Sequence, residues 1–145
     1  MMVQQLLNYK SIDTVWSVRS MSNVYDALVM MNEKNIGAVL VIDDDHLVGI
    51  FSERDYARKG ILQGRASQQT YIFEVMTKKV ITVTPQDKIE YCMKLMSEGH
   101  FRHLPVVQED TVVGVISITD ILDAIIREQK ARISSLESYI TGTPL

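Results

Sequence analysis

Gly114-Val115-Ile116-Ser117-Ile118-Thr119-Asp120 has a counterpart 65 positions earlier, Gly49-Ile50-Phe51-Ser52-Glu53-Arg54-Asp55, with glycine, serine and aspartate in the same slots. In both places an apolar run follows a loop rich in Asp and Glu and leads into a helical pattern. The geometry this implies is a strand that turns directly into a helix start. Such a junction points free backbone N–H groups and the positive end of a dipole at whatever lies beyond it, which favours an anion.

Working outward, the match extends without a gap from Val15–Arg58 to Val80–Asp123, and ten of the forty-four columns are identical. Val24, Ala27, Leu28 and Met31 align with Ile89, Cys92, Met93 and Met96, each set at the spacing of one helical face. Two copies are too few for a solenoid, so the expected arrangement is a pair of half-domains, related by an approximate two-fold axis, burying one core.

The chain has 145 residues, 46% of them apolar, which suits one ordinary core. A net charge of −3 argues against a nucleic-acid binder, which carries a basic stripe. Apolar runs such as Ala38–Ile42 are far too short to span a bilayer. The first thirteen residues lack the features of a secretory signal. A single cysteine, Cys92, gives neither a disulfide framework nor a cysteine-rich metal cage. The default location is the cytoplasm.

In chain order, Val3–Lys10 reads as a short amphipathic helix and Thr14–Val18 as a strand. A helix capped by Ser20 or Ser22 then runs to about Asn35. Ile36–Ile42 and Leu47–Phe51 are strands around a polar turn at 43–46, and a helix opens at Ser52 and reaches about Gly60. The glycine-containing polar stretch up to Tyr71 is a linker, followed by a helical turn at Ile72–Met76. Val80–Val83 is a strand, and Thr84-Pro85-Gln86-Asp87 has the residues of a helix start. That helix stops at Gly99. Leu104–Val107 and Val112–Ile116 are the second strand pair. The last helix begins near Ser117 and runs to about Tyr139, with Gly142 and Pro144 ending it. Its residues Leu122, Ile126, Gln129, Ile133, Leu136 and Ile140 alternate at spacings of four and three, the seam of a helix that packs along a partner. Either the N-terminal helix or a second copy of the chain would cover it.

These residues resemble a tandem pair of CBS domains, a Bateman module. The marks are Gly-x-x-Ser-x-x-Asp at the end of each half, Arg102-His103-Leu104-Pro105-Val106 in the second, and Val75-Met76-Thr77 before it. The stretch Glu53–Lys59 is similar to that of small stand-alone bacterial members. The resemblance implies a mixed α/β fold of two β-α-β-β-α repeats related by pseudo-two-fold symmetry, with an N-terminal helix and a long C-terminal helix. As domains, it implies one module over 1–145, with repeats at 11–60 and 73–125, a linker at 61–72 and a helical extension at 126–145. It further implies two clefts between the halves, head-to-head homodimers, and a regulatory rather than catalytic role toward an unknown partner protein. The ligands are adenosine-containing: AMP or NAD(H) first, with ATP, ADP or S-adenosylmethionine as alternatives.

Such a ligand needs a carboxylate for the ribose hydroxyls, donors and a cation for phosphate, and apolar walls around the base. By the family pattern, Asp55 and Asp120 take the ribose, and Ser52 and Ser117 meet phosphate at the helix starts. Arg54, Arg102 and His103 are the nearest cations, and Gly37 and Ala38 let a purine approach the backbone closely. Thr77, Pro105 and Thr119 complete the nucleotide-binding set. Ser-x-x-Asp is also a capping arrangement, and both roles are compatible. The clefts are not equivalent, because Gly37-Ala38-Val39 aligns with Arg102-His103-Leu104, and Arg54 with Thr119. A purely structural dimeric module is the alternative function. His100 and His103 have no cysteine or carboxylate cluster beside them and do not make a metal site. Cys92, on an apolar helical face, reads as core, and no nucleophile with a positioned base can be assembled.

Overall fold

A computed structural model of the chain describes residues 1–10 and 15–142. Its elements run α1 (Val3–Tyr9), β1 (Ser17–Val18), α2 (Val24–Lys34), β2 (Ala38–Asp43), β3 (His46–Ser52), α3 (Glu53–Asp55), α4 (Ile72–Val75), α5 (Ile89–Gly99), β4 (His103–Gln108), β5 (Thr111–Ser117) and α6 (Ile118–Thr141). Strands β1-β2-β3 form one sheet and β4-β5 another. This is the mixed helix-and-strand fold with a long final helix that the repeat implies.

The backbone repeats with the sequence. Glu53 N–H donates to the Gly37 carbonyl at 3.1 Å, and 65 residues on Ile118 N–H donates to the Arg102 carbonyl at 2.9 Å. The parallel pairing of Val18 with Val41 returns as Val83 with Val106. Both hairpins turn on two left-handed residues, Asp44 and Asp45 (φ 49° and 65°) and Glu109 and Asp110 (φ 50° and 63°). Two central residues at positive φ make the turn whose twist matches that of the flanking strands.

The chain divides into two compact units that do not coincide with the repeats. One holds the described residues up to 83 from 15, together with 105–115. Its core joins Val24, Ala27 and Met31 of α2, Val39 and Val41 of β2, Phe51 of β3, and Ile72, Val75 and Met76. The apolar face read at helical spacing therefore does pack inward, and burying Phe51 alone is worth about 3 kcal/mol at most.

The other unit holds 1–10, 84–104 and 116–142. Here α1 and α5 both pack on α6, and Val3, Leu6, Ile89, Cys92, Met96, Ile121 and Ala124 are buried. The N-terminal segment is stitched to the start of α5: Val3 N–H donates to the Asp87 carbonyl (2.8 Å), Gln4 N–H to Pro85 (2.9 Å) and Ile89 N–H to Met1 (3.0 Å).

Several local expectations change. Helix α2 is capped by Asn23, whose side chain accepts from Tyr25 N–H, because Ser20 is drawn to the Asp43 carboxylate and Ser22 Oγ accepts from Arg19 N–H. Of the Thr84–Asp87 box, Asp87 Oδ2 accepts from Thr84 N–H at 2.8 Å, while Asp87 N–H donates to the Thr84 backbone carbonyl at 3.1 Å, and the helix starts only at Ile89. The intervening carbonyls serve the α1 segment instead. The strand expected at Val80–Val83 reduces to the single bridge at Val83. The helix expected from Ser52 to Gly60 is α-helical only over Glu53–Asp55 and widens to a π turn over Tyr56–Gly60. Gly60 belongs there because a Cβ on it would lie 3.1 Å from the Tyr56 ring. At the end of α5 the left-handed residue is His100 (φ 56°) rather than Gly99. Gly99 provides room, since a Cβ there would sit 2.1 Å from the Phe101 ring. Of the strand read at Thr14–Val18, Thr14 lies outside the described residues, as does Pro144 beyond α6.

Candidate functional site

In the first unit the strand-to-helix junction brings Gly37, Ala38, Ser52, Asp55 and Thr77 together. Ala38 pairs with Ser52 across β2 and β3, and the Gly37 carbonyl is held by Glu53 N–H. Ser52 caps α3 reciprocally with Asp55: Asp55 N–H donates to Ser52 Oγ (3.2 Å), and Ser52 N–H donates to Asp55 Oδ2 (3.0 Å). The second carboxylate oxygen of Asp55 accepts from the Thr77 hydroxyl at 3.0 Å and faces Lys59 Nζ at 3.4 Å. Asp55 is consequently a buried acid, 9% exposed, with both oxygens engaged.

Thr77 is held where it is by the close approach of its segment to β3. Ile50 and Thr77 exchange both backbone hydrogen bonds, at 3.0 and 2.8 Å. Gly49 permits this, since a Cβ on it would lie 2.6 Å from Met76 Sδ and 3.0 Å from the Thr77 carbonyl oxygen. The motif glycine therefore has a packing role. Arg54 lies exposed on α3 between the two acids Glu53 and Asp55.

In the second unit the same box forms at the head of α6. Ser117 N–H donates to Asp120 Oδ2 (2.8 Å), and Asp120 N–H donates to Ser117 Oγ (3.1 Å). The partner of Asp120 is Lys10, 3.0 Å away. Around this pair lies a cavity of about 280 Å³ whose lining includes Leu6, Tyr9, Asp123 and Arg127, with the Arg127 guanidinium over the Tyr9 ring at 5.7 Å. Arg102 is joined to the junction through its carbonyl, which accepts from Ile118 N–H. His103 is the first residue of β4, and Thr119 is exposed on the first turn of α6. Pro105 belongs with the other unit, where it is buried and its carbonyl accepts from Val83 N–H at 3.0 Å.

The two helix starts lead into different helices. Behind Ser117 runs a 24-residue helix, whereas Ser52 is followed by three α-helical residues and a π turn to Gly60, and in both the positive dipole end acts within the first turn. The cations on the two acids are Lys59 and Lys10, neither of which the motif reading assigned. The Asp55–Lys59 spacing of four was a legible helical pair. Lys10 lies 110 positions from Asp120 and left no local signal. Cys92 is fully buried, and burial pushes its thiol up to about 11, the opposite of what a nucleophile needs.

The chain is similar to known proteins in sequence and in fold. The CBS domain family pattern matches residues 11–60 and 72–127. The chain is 39% identical over 139 residues to the mitochondrial CBS domain-containing protein CBSX3 of Arabidopsis thaliana, covering 92% of this chain and 68% of that protein. It spans only 21% of a longer curated relative. Among solved structures, a CBS-domain protein from Burkholderia ambifaria MC40-6 is 45% identical with a TM-score of 0.86, covering 89% of this chain and 96% of the other. The CBS domain pair of protein MJ0100, solved in complex with 5′-methylthioadenosine and S-adenosyl-L-methionine, is 25% identical with a TM-score of 0.77, covering 88% and 98%. With two successive matches and the backbone repeating at the same offset, the chain belongs to the CBS domain family as a tandem pair.

Proposed function

We propose that this chain is a regulatory, non-catalytic module that binds an adenosine-containing ligand and passes its occupancy to a partner protein. The observation that carries this reading is the doubled strand-to-helix junction, with Ser52 and Asp55 in one copy and Ser117 and Asp120 in the other. The adenosine compounds bound to the MJ0100 pair support the ligand class. In this reading the repeats are 11–60 and 73–125, joined by 61–72 and followed by the extension 126–145, and the protein acts in the cytoplasm as a homodimer. Asp55 and Asp120 take ribose hydroxyls, and Ser52, Ser117, Thr77 and Thr119 lie along the phosphate side. Gly37, Ala38 and Pro105 border the base. Arg54, Arg102 and His103 favour AMP or NAD(H), whose phosphates are anionic, over S-adenosylmethionine. Ligand control requires unequal affinity for two states. The ion pairs on the two acids supply a difference of that kind, since a ribose on Asp120 competes with Lys10 and one on Asp55 with Lys59.

The test is thermal unfolding of ligand-stripped protein with AMP, ADP, ATP, NAD, NADH and S-adenosylmethionine, with guanosine nucleotides as controls. Ligand at about one hundred times its dissociation constant adds about 2.7 kcal/mol and raises the midpoint by several degrees. A flat panel refutes the sensor. A second reading, a structural module without ligand, is favoured by the full intramolecular engagement of Asp55. Under it, Asp55→Ala and Asp120→Ala cost stability and alter no ligand response.

A further inference from the structure

The cavity between α1 and α6 is not a product of the repeat. Of its walls only Asp120 belongs to the doubled motif: Tyr9 and Lys10 align with Glu74 and Val75, and Asp123, Ala124 and Arg127 with Arg58, Lys59 and Leu62. The exchange of lysine for alanine helps to open it. In the first half Lys59 reaches its own helix's acid, 3.4 Å from Asp55. In the second half the buried Ala124 stands at that place, and the cation comes from Lys10 at the end of α1 instead. The space a lysine side chain takes in one half thus contributes to a cavity of about 280 Å³ in the other.

The charges on its walls are balanced and only half of them are paired. Lys10 and Asp120 meet at 3.0 Å. Asp123 and Arg127 stand at the helical spacing at which an acid and an arginine pair, yet no ion pair joins them. The guanidinium lies over the Tyr9 ring instead, 5.7 Å from its centre, and that contact holds it at the cavity. A guest therefore finds one carboxylate, one guanidinium, and an apolar wall of Leu6, Tyr9 and Ala124. We infer that this cavity binds a free α-amino acid with an apolar side chain, its ammonium on Asp123 and its carboxylate on Arg127. A guanidinium takes a carboxylate through two parallel N–H bonds. A nucleotide suits the cavity poorly, because its phosphates would meet the carboxylates of Asp120 and Asp123. The volume also lies just below the range of about 300–1,000 Å³ typical of pockets for larger ligands. The inference does not rest on the adenosine reading, and Asp123 and Arg127 have no part in that reading.

Isothermal titration calorimetry on the full chain, stripped of ligand, tests this with L-valine, L-leucine, L-isoleucine and L-methionine at millimolar concentration. At least one is expected to bind at a single site. Its N-acetyl and carboxamide derivatives, each lacking one charged end, are expected to bind about tenfold more weakly or worse. Arg127→Gln and Asp123→Asn, both at exposed positions, are each expected to weaken the amino acid by about tenfold to a hundredfold. An unchanged circular dichroism spectrum and melting midpoint of the free variants confirm folding. The absence of heat with all four amino acids overturns the inference and leaves the adenosine reading to its own nucleotide panel. Binding that both variants retain overturns the site, and derivatives that bind as tightly as the parent overturn recognition of a zwitterion.

Discussion

Asp55 and Asp120 are equivalent in sequence and unequal in structure, so alanine at each should cost different amounts. At either position the helix loses a reciprocal cap, worth about 1 kcal/mol. Asp55 also accepts from the Thr77 hydroxyl at 3.0 Å, and a hydrogen bond to a charged group adds about 1.5–3 kcal/mol. Lys59, half exposed at 3.4 Å, contributes at most about 1 kcal/mol, as does the partly exposed Lys10 on Asp120. The sums are between about 2.5 and 5 kcal/mol for Asp55→Ala and between about 1 and 2 kcal/mol for Asp120→Ala. For a domain of this length, each kcal/mol moves the midpoint by about 4 °C, so the expected falls are about 10–20 °C and about 4–8 °C. Thermal melts of the ligand-free variants, followed by circular dichroism, measure both. Thr77→Val provides the control and should reproduce most of the difference between them. Equal losses at the two positions, or a larger one at Asp120, would refute the claim that the Thr77 contact sets the two acids apart.

Gly49→Ala should destabilise by about 1–2 kcal/mol, since overpacking costs about 1–3 kcal/mol and the stiffer unfolded chain returns about 0.4–1. Its Cβ meets the Thr77 carbonyl at 3.0 Å, and chemical denaturation giving an unchanged or higher midpoint would contradict the close approach of that segment to β3. The hydrogen bonds from the Ser20 side chain and backbone hold the Asp43 carboxyl below its usual 3.8. Because the folded value is the lower one, this stabilisation is present above about pH 4 and disappears as the pH falls through the depressed value. Asp43→Asn should therefore flatten part of the acid limb of a stability-against-pH curve, and a limb identical to wild type would exclude this contribution.

The repeat was legible because each half spells the same local physics: an apolar helical face at 24, 27 and 31, a strand pair around a polar two-residue turn, and Ser-x-x-Asp at the next helix start. Local rules suffice for these, since capping, turn geometry and periodicity act over a few residues. The sequence by itself therefore determined most of the elements, the 65-residue offset, the cap pairs Ser52–Asp55 and Ser117–Asp120, and the four-and-three spacing along α6; the structure decided that α6 buries Ile121 and Ala124 and leaves that spaced stripe exposed. Tertiary structure alone decided which donors complete those caps. Thr77 reaches Asp55 because Gly49 lets two segments meet, and Lys10 reaches Asp120 because α1 is bound to residues 85–89 by backbone hydrogen bonds. It also decided that Thr84–Asp87 closes a turn without starting a helix, and that Ser20 serves Asp43 instead of capping α2. In the first two cases a distant group adds to a cap that forms locally, and in the last two it takes a hydrogen-bonding group that the local pattern had assigned nearby; both outcomes are settled only when the chain is packed.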